Sequence, residues 1–374
     1  MKKVGLVTCY MDNYGACLQA YALQKSINKA GFHCEIIKYT PIKSSKDYGF
    51  LINVGIWLRN HLKSFNNVVY KYDNYRHARF KSFRKKYLCF SKENYLSEKK
   101  LYLSPPDYDI FVTGSDQIWN PNLYDGKNNR VYFLDFVPDD KKRIAYAPSI
   151  GISSISKECA LDMKKLISKF DFVSIRESDG KRIIDEICDC ECRVVLDPTL
   201  LISKEEWESI IGERIIHDNY ILLYLFGDRE YTKEFVQYVY NQLGLKVVTI
   251  PFNKREYESE YYKIKKAGPL DFVNLIKYAS LVITDSFHAT AFSINLNVPF
   301  YTLLRNDIND KNNMNSRIYS ILNICGLEQR MIASKDDFPV KISLDLDFTL
   351  SNHNIIEKRQ NDVFFLNNAL ENVK

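Results

Sequence analysis

Apolar runs of strand length alternate with segments of helical period along nearly the whole chain. A strand that is buried on both faces needs a continuous apolar run, and a helix that follows it can cover one face of the sheet. The alternation therefore predicts an α/β protein built on parallel sheets. We expect strands over residues 3–8, 33–39, 108–113, 143–147, 172–175 and 193–196, and then over 220–226, 246–250, 281–284 and 299–303.

The length of 374 residues exceeds what one hydrophobic core usually serves, so we expect two Rossmann-like domains that face each other across a cleft. Asp197 and Pro198 close the last strand of the first half, and Ser203 to Glu206 has the form of a capping box that opens a helix. These signals predict a first domain over 1–202, a second over 203–353, and a C-terminal helix over 354–374 that packs back on the first domain.

Composition and cysteine usage favour a folded protein of the reducing cytoplasm. The chain is 46% hydrophobic and 26% charged, which is too apolar for a disordered protein. The opening residues lack the apolar core of a signal peptide, and no apolar run has the length of a membrane span. The nine cysteines stand at irregular spacings, and the spacing of Cys188, Cys190 and Cys192 matches no common zinc pattern, so we expect no metal site.

A basic and aromatic stretch lies within an insertion over about residues 41–104 of the first domain. One interpretation is a solvated helical face whose aromatic side chains point to the core. Another is a surface that meets anionic lipid headgroups at the membrane or a pyrophosphate-linked acceptor. Nucleic acid is not an expected partner, because no nucleic-acid motif accompanies the charge. The basic residues are Arg59, Lys63, Lys71, Arg76, Arg79, Lys81, Arg84, Lys85 and Lys86.

Ligands of open parallel sheets bind beyond the carboxyl ends of the strands, so the loops that follow the predicted strands are where function is expected. The strand over 281–284 runs directly into a helix start, where Ser286 is placed to cap the helix. The free amides of that helix end suit a phosphate or carboxylate, and His288 would lie beside the bound anion. A proton donor and a structural histidine are both consistent with this position.

Two other loops carry candidate polar groups. Arg176 follows a strand and offers a planar fork to an anion, although an ion pair with Glu177 explains it as well. Asp116 follows Gly114 and Ser115 and is able to accept a proton from a sugar hydroxyl, although a turn cap is an equal alternative. Asp12 and Asn13 suit hydrogen bonding to hydroxyls or, alternatively, the capping of the first helix.

Five motifs occur in an order that resembles the polysaccharide pyruvyl transferase family over nearly the whole chain. They are DNYGACLQAYALQ from Asp12, GSDQIWN from Gly114, SIRES from Ser174, LDPTLL from Leu196 and TDSFHAT from Thr284. The resemblance implies a fold similar to the glycosyltransferase B type and an enzyme that uses phosphoenolpyruvate. Its product would be a pyruvate ketal on a sugar of a cell-surface polysaccharide or of a lipid-linked precursor, with no cofactor.

The resemblance also suggests roles for particular residues, with His288 as general acid and Asp116 as general base. Better-known relatives carry an arginine two residues before the histidine, where this chain has Ser286, so other cations must neutralise the donor. The expected donor-binding residues are Arg176, Ser286, Thr290, Lys254, Arg255 and Arg317. The expected acceptor-binding residues are Asp12, Asn13, Tyr14, Gly15, Ser115 and Gln117. A glycosyltransferase that uses a nucleotide sugar and a carbohydrate-binding relative without turnover remain alternatives.

Overall fold

Two parallel sheets, each flanked by helices, form the protein, which confirms the predicted α/β class. The computed structural model describes residues 1–40, 68–227, 229–251, 254–307 and 314–372, with the backbone alone for 68–73, 254 and 255. Within these residues, no helix combines the length and apolar character that crossing a bilayer requires.

The first sheet has seven strands in the order β3-β2-β1-β4-β5-β6-β7, and all neighbours are parallel. The strand order reverses between β1 and β4, and this is the point at which open sheets bind ligands. The strands are β1 (Lys3–Val7), β2 (His33–Tyr39), β3 (Phe90–Tyr95), β4 (Ile110–Thr113), β5 (Lys142–Ala145), β6 (Phe172–Ile175) and β7 (Cys192–Val194).

The second sheet has six strands in the order β10-β9-β8-β11-β12-β13, again all parallel. Its order reverses between β8 and β11. The predicted boundary at residue 202 falls between the two sheets. The strands are β8 (Tyr220–Tyr224), β9 (Lys246–Thr249), β10 (Tyr262–Lys263), β11 (Leu281–Thr284), β12 (Phe300–Leu303) and β13 (Met331–Ile332).

The helices cover the faces of both sheets. Those that precede β8 are α1 (Tyr14–Lys29), α2 (Val68–Tyr87), α3 (Glu98–Leu103), α4 (Lys157–Ile167), α5 (Ser178–Ile187), α6 (Pro198–Leu201) and α7 (Lys204–Glu208). Those that follow it are α8 (Glu230–Leu243), α9 (Lys254–Glu258), α10 (Pro269–Lys277), α11 (Phe287–Asn295), α12 (Ser316–Cys325) and α13 (Thr349–Glu371).

Local signals explain several helix ends. Asn13 caps α1 by accepting from the amide of Ala16, and Gly31 takes a left-handed conformation just after the helix, with φ of 87°. The predicted capping box is present, because the Ser203 and Glu206 side chains each accept from the other residue's backbone amide at the start of α7.

One hydrophobic cluster includes residues from the inner faces of both halves. Trp207 lies within it between Tyr21 of α1 and Phe292 of α11, at ring-centroid distances of 5.6 and 5.0 Å. The C-terminal helix α13 also spans the halves, since Asp362 accepts from the amide of Leu196 and Arg359 donates to Asn295. The two sheets are therefore packed through shared helices.

Helix α2 contains the last part of the basic stretch. Its Phe80 and Phe83 are buried, in agreement with the interpretation that the aromatic side chains point to the core. Arg84 pairs with Asp12 at 2.5 Å, whereas Arg79 pairs with Asp271 at the start of α10, also at 2.5 Å. The helix thus connects the two halves. Arg59 and Lys63 lie outside the described residues, as does the side chain of Lys71, and contact with a membrane stays a prediction.

Candidate functional site

A buried carboxylate, Asp197, lies where the two halves meet. Its Oδ2 atom accepts from Arg176 Nη1 at 2.7 Å and lies 3.6 Å from His288 Nε2. Its Oδ1 atom accepts from the amide and the hydroxyl of Thr199, and through this contact Asp197 caps the start of α6. One carboxylate therefore contacts a guanidinium that follows β6 of the first sheet and an imidazole that follows β11 of the second.

Electrostatics keep Asp197 ionised despite its burial. Burial alone would raise the pKa of the carboxyl group, but His288, Arg176 and the Thr199 amide hold that pKa well below its usual range. Burial alone would lower the pKa of Arg176. The carboxylates of Asp197 and Asp116 outweigh that effect, so the pKa of Arg176 is raised. The centre of the site is thus a charged cluster in a low-dielectric environment.

His288 occupies the first turn of α11, where Ser286 caps the helix by accepting from the Ala289 amide. Its imidazole rests directly on Gly15 in the first turn of α1. A Cβ atom on Gly15 would come within 2.0 Å of His288 Nδ1, so only glycine fits there. The amino-terminal ends of two helices, one from each half, therefore meet at the histidine, and both carry partial positive charge.

Arg176 is almost completely buried, with 1% of its side chain exposed. Its guanidinium carbon lies 4.3 Å from the ring centre of Phe287, the neighbour of His288 in α11. Among the described residues, Arg176 Nε and Nη2 and His288 Nε2 are buried without a hydrogen-bond partner. Arg176 Nη2 and His288 Nε2 face the carboxylates of Asp116 and Asp197 only at 3.7 and 3.6 Å, so a ligand that accepts hydrogen bonds would complete the pairing that buried donors normally have.

The loop after β4 brings Asp116 to the same cluster. Asp116 has a left-handed backbone with φ of 69°, and its Oδ1 atom accepts from the Gln117 amide and lies 3.7 Å from Arg176 Nη2. Its side chain keeps 20% of its surface exposed, so a solvent-borne group is able to reach it. Ser115, in contrast, is buried and donates to the Ala147 carbonyl and to Asp197, so its role here is to position the loop.

A second cation, Arg317 at the start of α12, approaches from the other half. Its guanidinium nitrogens lie 2.5 and 2.8 Å from the side-chain amide of Gln117, whose oxygen faces the arginine. The pKa of Arg317 is lowered to about 9, mainly because the group is buried and secondly because Arg176 repels its charge. Two crowded guanidinium groups form an environment that an anion would stabilise.

Arg305 lies at the edge of this region. Its guanidinium pairs with Asp285 at 3.3 Å and stacks on Phe226 at 4.6 Å. Asp285 in turn accepts from the amides of Phe226 and Gly227, which fixes the loop after β8. Arg305 and Arg317 line the same small cavity beside Phe287.

Several predicted contact residues have their polar groups occupied elsewhere. The Tyr14 hydroxyl is buried and donates to the Ala267 carbonyl, while its ring stacks on Phe272. The Thr290 hydroxyl pairs with Thr302 inside the second half. Both hydroxyls thus have partners within the protein, and the contacts of Tyr14 with acceptor and of Thr290 with donor stay predictions.

The remaining predicted residues are Asp12, Asn13, Lys254 and Arg255. Asp12 pairs with Arg84 and His77, and Asn13 acts as the helix cap that was its simpler interpretation. Lys254 and Arg255 begin the short helix α9, and their side chains lie outside the described residues. Glu177, the suggested partner of Arg176, instead accepts from the amides of Ile150 and Gly151.

Comparisons with solved structures show the fold. UDP-GlcNAc 2-epimerase of Methanocaldococcus jannaschii, in complex with UDP-GlcNAc and UDP, is 14% identical with a TM-score of 0.50, over 97% of this chain and 98% of that one. MurG of Acinetobacter baumannii is 11% identical with a TM-score of 0.41, over 98% of each chain. WaaC of E. coli with ADP is 10% identical with a TM-score of 0.41, over 96% and 99%. The likeness to the epimerase and the two parallel sheets show the fold, two Rossmann-like α/β domains similar to the glycosyltransferase B type.

Sequence comparison gives the family. Among curated proteins, no similar sequence was found. A family model described as polysaccharide pyruvyl transferase matches residues 13–307, which is most of the chain. The matched range contains the whole charged cluster except Arg317, together with Gly15 and the capped start of α11. The chain therefore belongs to the polysaccharide pyruvyl transferase family.

Proposed function

We propose that this protein transfers a pyruvyl group from phosphoenolpyruvate to two hydroxyls of one sugar, forming a cyclic ketal. The acceptor in this proposal is a cell-surface polysaccharide or its lipid-linked precursor. The observation that carries the proposal is the cluster of Arg176, Asp197 and His288, in which Arg176 Nε and Nη2 and His288 Nε2 are buried without a partner at hydrogen-bond distance. A small substrate with a phosphate and a carboxylate matches such a cationic environment.

The donor half of the reaction requires a proton at the methylene carbon of the enol phosphate. His288 is the proposed donor of that proton, and its Nε2 atom lies 3.6 Å from the Asp197 carboxylate. Protonation leaves an oxocarbenium-like centre at the adjacent carbon. Arg176, Arg317 and the amino-terminal end of α11 then stabilise the negative charge of the phosphate.

The acceptor half requires a base. Asp116 is the proposed acceptor of the proton from the first sugar hydroxyl, because its carboxylate is partly exposed and 3.7 Å from Arg176. The hydroxyl oxygen bonds to the cationic carbon, and the carbon–oxygen bond to phosphate then breaks. A second hydroxyl of the same sugar bonds to the same carbon and loses its proton, which closes the ketal and leaves inorganic phosphate.

The direct test is incubation with phosphoenolpyruvate and a panel of free and lipid-linked sugars. Phosphate release together with the mass gain of a pyruvate ketal supports the proposal. His288→Ala is expected to lower kcat by about 10²-fold or more, the usual contribution of a positioned general acid. His353→Ala is the matched control, because that imidazole is 74% exposed on α13. Wild-type turnover by His288→Ala would contradict the assigned role.

Two binding measurements separate the alternative functions. Thermal stabilisation by a uridine or guanosine nucleotide, with none from phosphoenolpyruvate, would favour a glycosyltransferase that uses a nucleotide sugar. Sugar binding by calorimetry without phosphate release from any donor would favour a binding protein. Either outcome would overturn the pyruvyl transfer proposed here.

A further inference from the structure

Three side chains that commonly bind metals converge at the amino-terminal end of β2. They are His33 and Glu35, which lie on the same face of the strand, and Cys89, which directly precedes β3. One ligand atom from each lies within 4.8 Å of the others. Sequence spacing gives no indication of this group, because Cys89 is more than fifty residues away from Glu35 in the sequence. The pairing of β2 with β3 brings them together.

The distances suit a small divalent cation. Zinc binds imidazole nitrogen and carboxylate oxygen at about 2.0–2.2 Å and thiolate sulfur at about 2.3 Å, so neighbouring ligands of a tetrahedral site lie about 3.4–3.6 Å apart. His33 Nε2 and Glu35 Oε1 already lie 3.5 Å apart. Since no two ligand atoms lie more than 4.8 Å apart, Cys89 needs to approach by about 1.2–1.4 Å at most, and its exposed position leaves room for that movement.

Neighbouring residues hold the group in place. The Tyr108 hydroxyl donates to Glu35 Oε2 at 2.7 Å, which leaves Oε1 directed to His33. Such outer hydrogen bonds orient the carboxylates of metal sites. Gln24 of α1 holds the backbone of Cys89 from both sides, accepting from its amide at 2.9 Å and donating to its carbonyl at 2.7 Å.

We propose that His33, Glu35 and Cys89 bind one zinc-like divalent cation, with the fourth position open to water. Imidazole, carboxylate and thiolate are the three side-chain ligands that zinc uses in proteins. The site lies at the amino-terminal ends of the strands, whereas the proposed reaction centre lies at their carboxyl-terminal ends. The cation would therefore bind the segment after α2 to β2 of the first sheet. This proposal does not depend on the proposed function.

Titration of the purified, reduced, metal-free chain with Co²⁺ alone tests the proposal. We expect one equivalent to bind with a thiolate-to-cobalt absorption band, which Zn²⁺ displaces. Cys89→Ser is expected to abolish the band, and Cys190→Ser, a half-buried cysteine outside the group, to retain it. No band in the wild-type chain, or a band that survives Cys89→Ser, would contradict the proposal that these three side chains bind the cation.

A second variant probes the outer hydrogen bond. Tyr108→Phe removes only the hydroxyl and keeps the buried ring, so we expect the fold to persist while Co²⁺ affinity falls about tenfold or more. Unchanged affinity would contradict the orienting role of Tyr108 and, with it, the assignment of Glu35 as a ligand. Circular dichroism of both variants checks that the sheet is intact.

Discussion

Asp197 is the carboxylate that Arg176 and His288 share at the centre of the site. It is fully buried, and it contacts Arg176 of the first half and His288 of the second. Removal of its charge would leave the buried Arg176 with the more distant Asp116 carboxylate at 3.7 Å, and breaking a buried ion pair costs about 3–5 kcal/mol in proteins. We expect Asp197→Asn to lose that much free energy of unfolding, as measured by urea denaturation. A change below 1 kcal/mol would mean that the cluster contributes little.

The same residue predicts a dependence on pH. The pKa of Asp197 is held below its usual value, so its stabilisation is present above the unfolded pKa of about 4 and is lost as the pH falls below that value. Wild-type protein should therefore lose more stability between about pH 5 and pH 2 than Asp197→Asn does.

Substitution of Arg317 and substitution of Arg305 are expected to have opposite effects on the stability of the ligand-free protein. Burial and repulsion from Arg176 destabilise the charge of Arg317, so Arg317→Gln should leave the ligand-free protein equally or more stable. Loss of one charge-assisted hydrogen bond, about 1.5–3 kcal/mol, should raise the KM for phosphoenolpyruvate about tenfold or more. Arg305→Gln is the matched control, because it removes the guanidinium that pairs with the buried Asp285 carboxylate and should lower the melting temperature. Equal effects on stability would contradict this contrast.

Sequence reasoning identified single residues at the site better than it identified their partners. His288 and Arg176 were expected near one anion because each follows a strand, and the structure places both beside Asp197. Asp197 itself was interpreted only as a strand end. Its role depends on Ser115, Arg176 and His288, which are far apart in the sequence. The sequence signal for a special role of Asp197 is the Asp-Pro pair directly after a buried strand. An aspartate in that position is able to cap the helix that follows, and Asp197 caps α6.

At the scale of elements, the predicted strands are present, and the strands that were missed are β3, β10 and β13. Each of these lies at an edge of its sheet. An edge strand has one unpaired side and need not be buried on both faces, so its sequence lacks the apolar run on which the prediction relied. The sequence of β3, FSKENY, is largely polar, and β10 and β13 have two residues each.

The contact between the ends of α1 and α11 leads to a prediction about helix packing. Gly15→Ala places a methyl group where the His288 ring lies, so the ring or the helix must move. Overpacking of this kind costs about 1–3 kcal/mol, although alanine is otherwise the better helix former. We expect reduced stability and reduced kcat, as measured by urea denaturation and phosphate release.

A double-mutant cycle isolates the cause of that effect. In the His288→Ala background the ring is absent, so Gly15→Ala should cost nothing or even stabilise the protein. A cost that persists without the ring would place the strain elsewhere in α1. The cycle thus distinguishes contact between the two helices from a defect within one of them.

At the scale of the whole molecule, the sequence predicted two halves but not how closely they are joined. The alternation of elements and the length indicate two sheets, whereas the shared cluster depends on aromatic residues in helices that face each other only after folding. Tyr14 of α1 stacks on Phe272 of α10 at a centroid distance of 4.9 Å, and Trp207 lies between α1 and α11. The halves are therefore expected to unfold as one unit.

Trp207→Ala tests this expectation. Truncation of a buried tryptophan costs about 3–5 kcal/mol, and because Trp207 contacts both halves, amide-exchange protection should fall by the same free energy in β1 and in β11. Trp119→Ala is the control, since Trp119 stacks on Phe133 at 4.6 Å within the first half alone. In one cooperative unit this control also reduces protection in β11. If the halves are two independent units, Trp119→Ala would leave amide-exchange protection in β11 unchanged. The shared cluster would then be a contact between separately stable domains.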